Sequence, residues 1–311
     1  MENITLKNEI EKYFVFCQAR KNLDLKTIKS YSIDLQQFHT YTTTNDLIWY
    51  EKKSVESYIE TLHNKYKPKS VKRKIASLKA FFHYLELEEI IDFNPFHKIQ
   101  IKYKEPFVLP KTIPINTIAI IINFAYSEQE NRKTKYGKQC ALRNTLILEL
   151  LFATGMRISE LCSLTVDNVN LEDYVIKIYG KGSKERLIQI CNENVQKLLN
   201  TYLSSIKNQP NEKKHLFINR LGNRLSEQSV RNIISDYANR AGISLHITPH
   251  MFRHSFATLL LEEDVDIRYI QQMLGHSSIT TTQIYTHISL NKQKDILKSK
   301  HPRNKMDINM K

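Results

Sequence analysis

Glycine is scarce in this chain: seven in 311 residues, with none between Leu6 and Phe93. So long a stretch without it favours continuous helix over a fold of many tight turns. Cysteine is as sparse. Cys17, Cys140, Cys162 and Cys191 show no C-x-x-C spacing, which argues against a zinc site or a disulfide framework and makes them read as small buried hydrophobes. No apolar run approaches the roughly 18 residues needed to cross a bilayer. The Met1-Glu2-Asn3 start lacks the basic-then-apolar order of a signal peptide, so a cytoplasmic protein with no membrane partner is expected. Acidic residues are also under-represented, 32 against 46 basic ones, leaving 46 − 32 = +14. A surface so basic attracts polyanions and steers them over long range, which puts nucleic acid first among partners.

The length favours two domains. Residues up to about Phe93 carry apolar side chains at three- and four-residue spacing. Ile28, Tyr31, Leu35 and Phe38 share one face of a helix. A second helix is expected to begin at Ser54 with its hydroxyl as cap, and a third after Pro68-Lys69-Ser70, burying Val71, Ile75, Leu78, Phe82 and Leu85. Asn94-Pro95 stops this all-helical half. The charged, proline-containing stretch from Lys102 to Pro114 has no periodicity and reads as an extended linker. Residues 1–105 hold 18 basic and 14 acidic side chains, the remainder 28 and 18. Both halves can therefore face one polyanion.

Helical runs open the second half, through Arg143 to Phe152. The period then changes, and Tyr174–Tyr179 and Arg186–Ile190 alternate as two strands around Gly180-Lys181-Gly182-Ser183-Lys184, a hairpin signal. Helical spacing returns over Val195–Ile206, Ser229–Ala241, His254–Glu262 and Ile267–Leu274.

Cutting a DNA strand without a metal requires cations on the non-bridging phosphate oxygens, a nucleophile, and a proton donor for the departing oxygen. Arginine suits the first task because its planar fork stays charged and grips two oxygens. Arg157 follows the break at Thr154-Gly155. His250 and Arg253, three apart behind Pro249, share a helix face. His276 follows Leu274-Gly275, where glycine ends a helix. Tyr285 lies nine residues on, and a phenol with an ordinary pKa near 10 needs a base or adjacent positive charge to attack. His254 points elsewhere on its helix and is expected to make a structural hydrogen bond. For the proton donor, Lys181, Lys184 and Arg186 compete on charge alone.

These segments, Ala153–Leu161, Gly180–Arg186, Thr248–Thr258 and Leu274–His287, resemble those of the tyrosine recombinase, or phage integrase, family in order and separation. The ending Ile296–Arg303 is most similar to Xer-type members. The resemblance implies a mainly α fold. An all-helical, SAM-like core-binding domain (residues 1–105) would precede an α+β, mostly helical catalytic domain (106–311) with a small antiparallel sheet and a C-terminal oligomerisation tail. It implies that Arg157, Lys181, His250, Arg253 and His276 surround the scissile phosphate, and that Tyr285 forms a 3′-phosphotyrosyl bond as a 5′-hydroxyl leaves. Neither cofactor nor metal is then required. Lys181 is the member of the lysine–arginine group that the resemblance selects, and Glu160 matches an acidic position that supports the arginine. Thr27, Lys72, Arg73 and Lys74 would contact DNA from the first domain. The implied partner is double-stranded DNA, bound by a homo- or hetero-tetramer on paired sites. The expected function is site-specific recombination; an integrase or transposase of a mobile element, or a non-cleaving DNA-binding protein, would share the layout.

Overall fold

A computed structural model of the chain describes residues 5–101, 111–180, 185–207, 214–275 and 290–306. It divides into two compact units, Met1–Val108 and Leu109–Lys311.

The first unit is built from α1 (Leu6–Ala19), α2 (Leu25–Thr44), α3 (Lys52–Lys65) and α4 (Pro68–Leu87). Helix α2 starts where the Asp24 carboxylate accepts the Lys26 N–H, and α4 starts on a proline, whose missing N–H costs nothing in a first turn. The α4 residues Val71, Ile75, Leu78, Phe82 and Leu85 are fully buried, as their spacing predicts. Of the α2 face, Leu35 and Phe38 are buried, while Ile28 and Tyr31 are half-covered. Helix α3 departs from expectation. It begins at Lys52, so Ser54 lies inside the first turn, buried, and caps nothing.

In the second unit, α5 (Ile115–Asn131), α6 (Lys135–Thr154) and α7 (Ile158–Ser163) come first. Every residue from Thr145 to Thr154 of α6 is buried, making it the central helix. Strands β1 (Val169–Asn170), β2 (Val175–Tyr179) and β3 (Glu185–Gln189) then form an antiparallel sheet in that order. The short β1 was not legible in the sequence. Ile178 pairs with Arg186 and Ile176 with Ile188, so the inward side of the hairpin carries isoleucines and one arginine. Helices α8 (Glu193–Ile206), α9 (Glu227–Arg240), α10 (Pro249–Glu262), α11 (Ile267–Leu274) and α12 (Leu290–Lys300) complete the described α-helices. Helix α10 starts at Pro249, five residues before the apolar period reveals it, and this brings His250 and Arg253 into its first turn and a half.

In the single chain the C-terminal segment packs on its own unit. Leu297 is 1% exposed, and the turn that follows buries Arg303 against Glu149 of α6 through three hydrogen bonds of 2.8 to 3.1 Å. His301 donates from Nε2 to the Ala153 carbonyl (3.1 Å) and accepts the Arg303 N–H at Nδ1 (2.9 Å). Both ring nitrogens are thus used in the neutral form, and burial pushes the imidazole pKa down to about 4. Among the cysteines, Cys17 and Cys162 are buried as expected, whereas Cys140 and Cys191 are half-covered. No helix among the described residues is long and apolar enough to cross a membrane.

Candidate functional site

The centre of the second unit is a carboxylate ringed by arginines. Helix α6 ends at Gly155, whose φ of +59° is the left-handed conformation that only glycine adopts cheaply. A Cβ here would also meet the Phe256 ring at 2.6 Å and Leu274 at 2.8 Å. The chain turns there and presents Arg157 as the residue preceding α7. Glu160, in the first turn of α7, accepts the Arg157 backbone N–H at 2.8 Å and its guanidinium at 2.8 Å, so the carboxylate both caps the helix and aims the arginine. The Arg157 side chain remains 35% exposed while that of Glu160 is 4% exposed.

Arg186 of β3 closes on the same carboxylate from the other side, Nη1 to Oε1 at 3.0 Å and Nη2 to Oε2 at 2.6 Å. Its Nε donates to the Met273 carbonyl at 2.9 Å. Arg253 of α10 is buried, with Nη1 on the Gly155 carbonyl (2.8 Å) and Nη2 on the Leu274 carbonyl (2.7 Å). Burial foremost, and then the charge of Arg157, draw the Arg253 pKa down to about 10, with Glu160 opposing. It is still cationic at neutral pH. For Glu160, burial works to raise the pKa, but the bonds and charge of Arg186 and the Arg157 contacts outweigh it and the pKa falls below the ordinary carboxylate value. Counting formal charges, three arginines and one carboxylate leave 3 − 1 = +2, with Arg157 reaching solvent.

His250 is exposed in the first turn of α10, one turn ahead of Arg253. His254 is exposed and hydrogen-bonds to no described residue, against the structural bond expected of it; burial and the neighbouring charges of His250 and Arg253 lower its pKa. Thus Arg157, Glu160 and Arg253 do come together, and Arg186 joins them. The sequence set Arg186 among the candidate proton donors; its inward position, on the same strand face as Ile188, was the available sign of a different role. Lys181, His276 and Tyr285 lie outside the described residues. Their described neighbours flank the cluster: Arg186 is the second residue of β3, and Gly275, directly before His276, comes so close to Arg186 that a Cβ would stand 3.1 Å from its Cδ.

In the first unit Lys72 is exposed on α4, and Thr27 is half-buried in the first turn of α2. Arg73 is partly exposed and paired with Asp34. Lys74 corrects the expectation of a phosphate contact. Only 4% of its side chain is exposed, with Nζ 3.0 Å from Asp34 and 4.7 Å from the Tyr66 ring centre. A charge held that way joins α4 to α2.

No three His, Cys, Asp or Glu side chains gather at a metal-binding distance among the described residues. A cavity of about 160 Å³ lined in part by Tyr136, Cys140, Arg143 and Arg220 shares no residue with the arginine cluster.

Residues 124–292 match the phage integrase family, and residues 10–89 match its N-terminal SAM-like domain. The chain belongs to the phage integrase family. It is an enzyme, a site-specific tyrosine recombinase of the Xer-like kind. A tyrosine recombinase of Agathobacter rectalis is 55% identical over 298 residues, covering 96% of this chain and 97% of that one. Tyrosine recombinase XerC of Bacillus subtilis is 32% identical over 317 residues, covering 97% and 98%. Among solved structures, the XerH site-specific recombinase bound to its difH substrate before cleavage is 25% identical with a TM-score of 0.65, covering 89% of this chain and 81% of that one. A lambda integrase dimer on a core site has the same fold at 18% identity, with a TM-score of 0.65 and coverage of 90% and 100%.

Proposed function

We propose that this recombinase acts on double-stranded DNA, with Arg157 and Arg253 holding the two non-bridging oxygens of the scissile phosphate. The observation that carries the reading is the convergence of both arginines, from the turn before α7 and from α10, on one carboxylate-buttressed spot with a net charge of +2. A phosphodiester bears one negative charge, and its five-coordinate transition state approaches two. A fixed +2 therefore favours the transition state over the ground state, which is what accelerates a reaction.

The remaining roles are those the family resemblance implies. The Tyr285 oxygen attacks phosphorus, the bond to the 5′ oxygen breaks, and Lys181 supplies the proton that turns this oxygen into a hydroxyl. His250 and His276 contribute hydrogen bonds to the phosphate and a place for the phenol's proton. The 3′-phosphotyrosyl bond retains the energy of the diester, so attack by a 5′-hydroxyl of another strand rejoins the DNA without a cofactor. In the first unit, Thr27 and the exposed Lys72 and Arg73 serve as backbone contacts, which fix register but carry no sequence information. Exchange between two duplexes calls for four chains on paired sites, and the site of action would be the cytoplasm. The XerH structure on its substrate supports a DNA partner for a chain of this kind.

The test is a nicked duplex that loses a short fragment on cleavage and cannot be resealed. The native chain is expected to form a covalent adduct with it and Tyr285→Phe none. An undiminished adduct in the variant would move the nucleophile elsewhere, and none in either chain would favour a protein that binds without cutting.

A further inference from the structure

Arg186 has only 10% of its side chain exposed, and each of its three guanidinium nitrogens hydrogen-bonds the protein. Two of its nitrogens face Glu160 as a fork, and the third reaches the Met273 carbonyl at the end of α11. The next carbonyl, Leu274, is held by Arg253. Two arginines from different elements thus grip successive carbonyls of one helix terminus, where the backbone dipole is negative and cations are favoured. The segment that leaves this terminus through Gly275 carries His276. The strand bearing Arg186 begins four residues after Lys181 in the sequence, and the carboxylate it grips orients Arg157.

Building on the strand-transfer reading above, we propose that Arg186 is a positioning residue: one guanidinium that locks the β2–β3 hairpin, the Arg157 turn and the end of α11 into a single frame around the phosphate. It donates to the frame and gives no proton to the leaving oxygen. A lysine in its place would keep the charge but could not span a carboxylate and a carbonyl with a rigid fork.

The test compares Arg186→Met and Arg186→Lys with the native chain on nicked duplexes carrying three scissile linkages: the ordinary diester, a 5′-bridging phosphorothiolate, and a neutral methylphosphonate. Arg186→Met is expected to cleave the ordinary diester about 100-fold more slowly, the cost of about an ångström of misplacement. Its duplex affinity should stay within about threefold, since many other cations hold the backbone. The sulfur leaving group, which departs without a proton donor, should not restore the rate. The methylphosphonate should shrink the penalty by about tenfold or more, because the aim of Arg157 matters less once an oxyanion is gone. Arg186→Lys should remain about tenfold slow or worse, and it carries the test if the methionine variant folds poorly.

Recovery of Arg186→Met on the phosphorothiolate would make Arg186 the proton donor and overturn the assignment. Equal penalties on the diester and the methylphosphonate would reduce it to a structural arginine, and a native rate in Arg186→Lys would remove the need for the fork. If the native chain formed no adduct, the strand-transfer reading itself would fall, and this assignment with it. Adducts from the native chain with an unchanged diester-to-methylphosphonate ratio would sink the assignment alone.

Discussion

Asp34 in the first unit and Glu160 in the second are both buried carboxylates, and each holds two cationic side chains. Around Asp34 one helix suffices: Lys74 is buried beside it, the Ser77 hydroxyl donates at 3.2 Å, Arg73 reaches solvent, and all of these partners come from α4. Around Glu160 several elements converge. The partners come from the residue before α7 and from β3, Arg253 of α10 adds a third positive charge, and Arg157 is left partly exposed. The same pairing therefore ties two helices together in one place and joins three segments around a surplus of positive charge in the other. What separates them is how many elements and charges converge: one helix supplies both cations at Asp34, leaving 2 − 1 = +1, whereas three segments supply them at Glu160, leaving 3 − 1 = +2.

Four changes would break or sharpen that contrast, the largest first. Asp34→Ala strands Lys74 as a buried, unpaired charge and is expected to lower unfolding stability by about 3–5 kcal/mol in a urea titration. Cleavage per folded molecule should survive, and a specific loss of cleavage would erase the contrast. Next comes a buried group held by backbone rather than by an opposite charge, His301. Its folded pKa of about 4 lies below the ordinary value of 6.5, so its contribution is complete above pH 6.5 and is lost as the pH falls from there through about 4. The loss should approach about 3 kcal/mol and be flattened in His301→Gln when denaturation midpoints are followed against pH.

Glu160→Gln is the counterpart of the Asp34 change. Here cleavage per folded molecule should fall about 100-fold, about 2.7 kcal/mol, because Arg157 loses its aim while duplex affinity holds. A variant that cleaves normally once folded would make Glu160 another Asp34. The smallest effect belongs to Arg73→Ala, a pair with one largely solvated partner. About 0–1 kcal/mol of stability is expected to go, with a modest drop in duplex affinity shared by all sequences.

Much of this was legible in the sequence, for identifiable reasons. The α4 stripe from Val71 to Leu85 has a strict helical period and is buried as read. Gly155 and Gly275 were readable as helix stops because a left-handed residue leaves few alternatives to glycine, and both have that conformation. The start of α3 was misread because a serine before an apolar repeat looks like a cap, whereas here the helix had already begun at Lys52. Lys74 was misread because a run of three basic residues on a helix spans more than one face, and the innermost had a carboxylate 40 residues away to meet. Arg186 was half legible: strand alternation turned it inward, but only the fold brings Glu160 and the Met273 carbonyl to it. No local pattern links Arg303 to Glu149, 154 positions apart.

The most direct measurement is made on Arg157→Ala, with single-turnover adduct formation and duplex affinity determined on the same preparation. If the exposed arginine of the Glu160 cluster serves the transition state, adduct formation should fall by about 100-fold or more while the dissociation constant stays within about threefold. Equal losses in the two would contradict the account, because they would make Arg157 one more backbone contact.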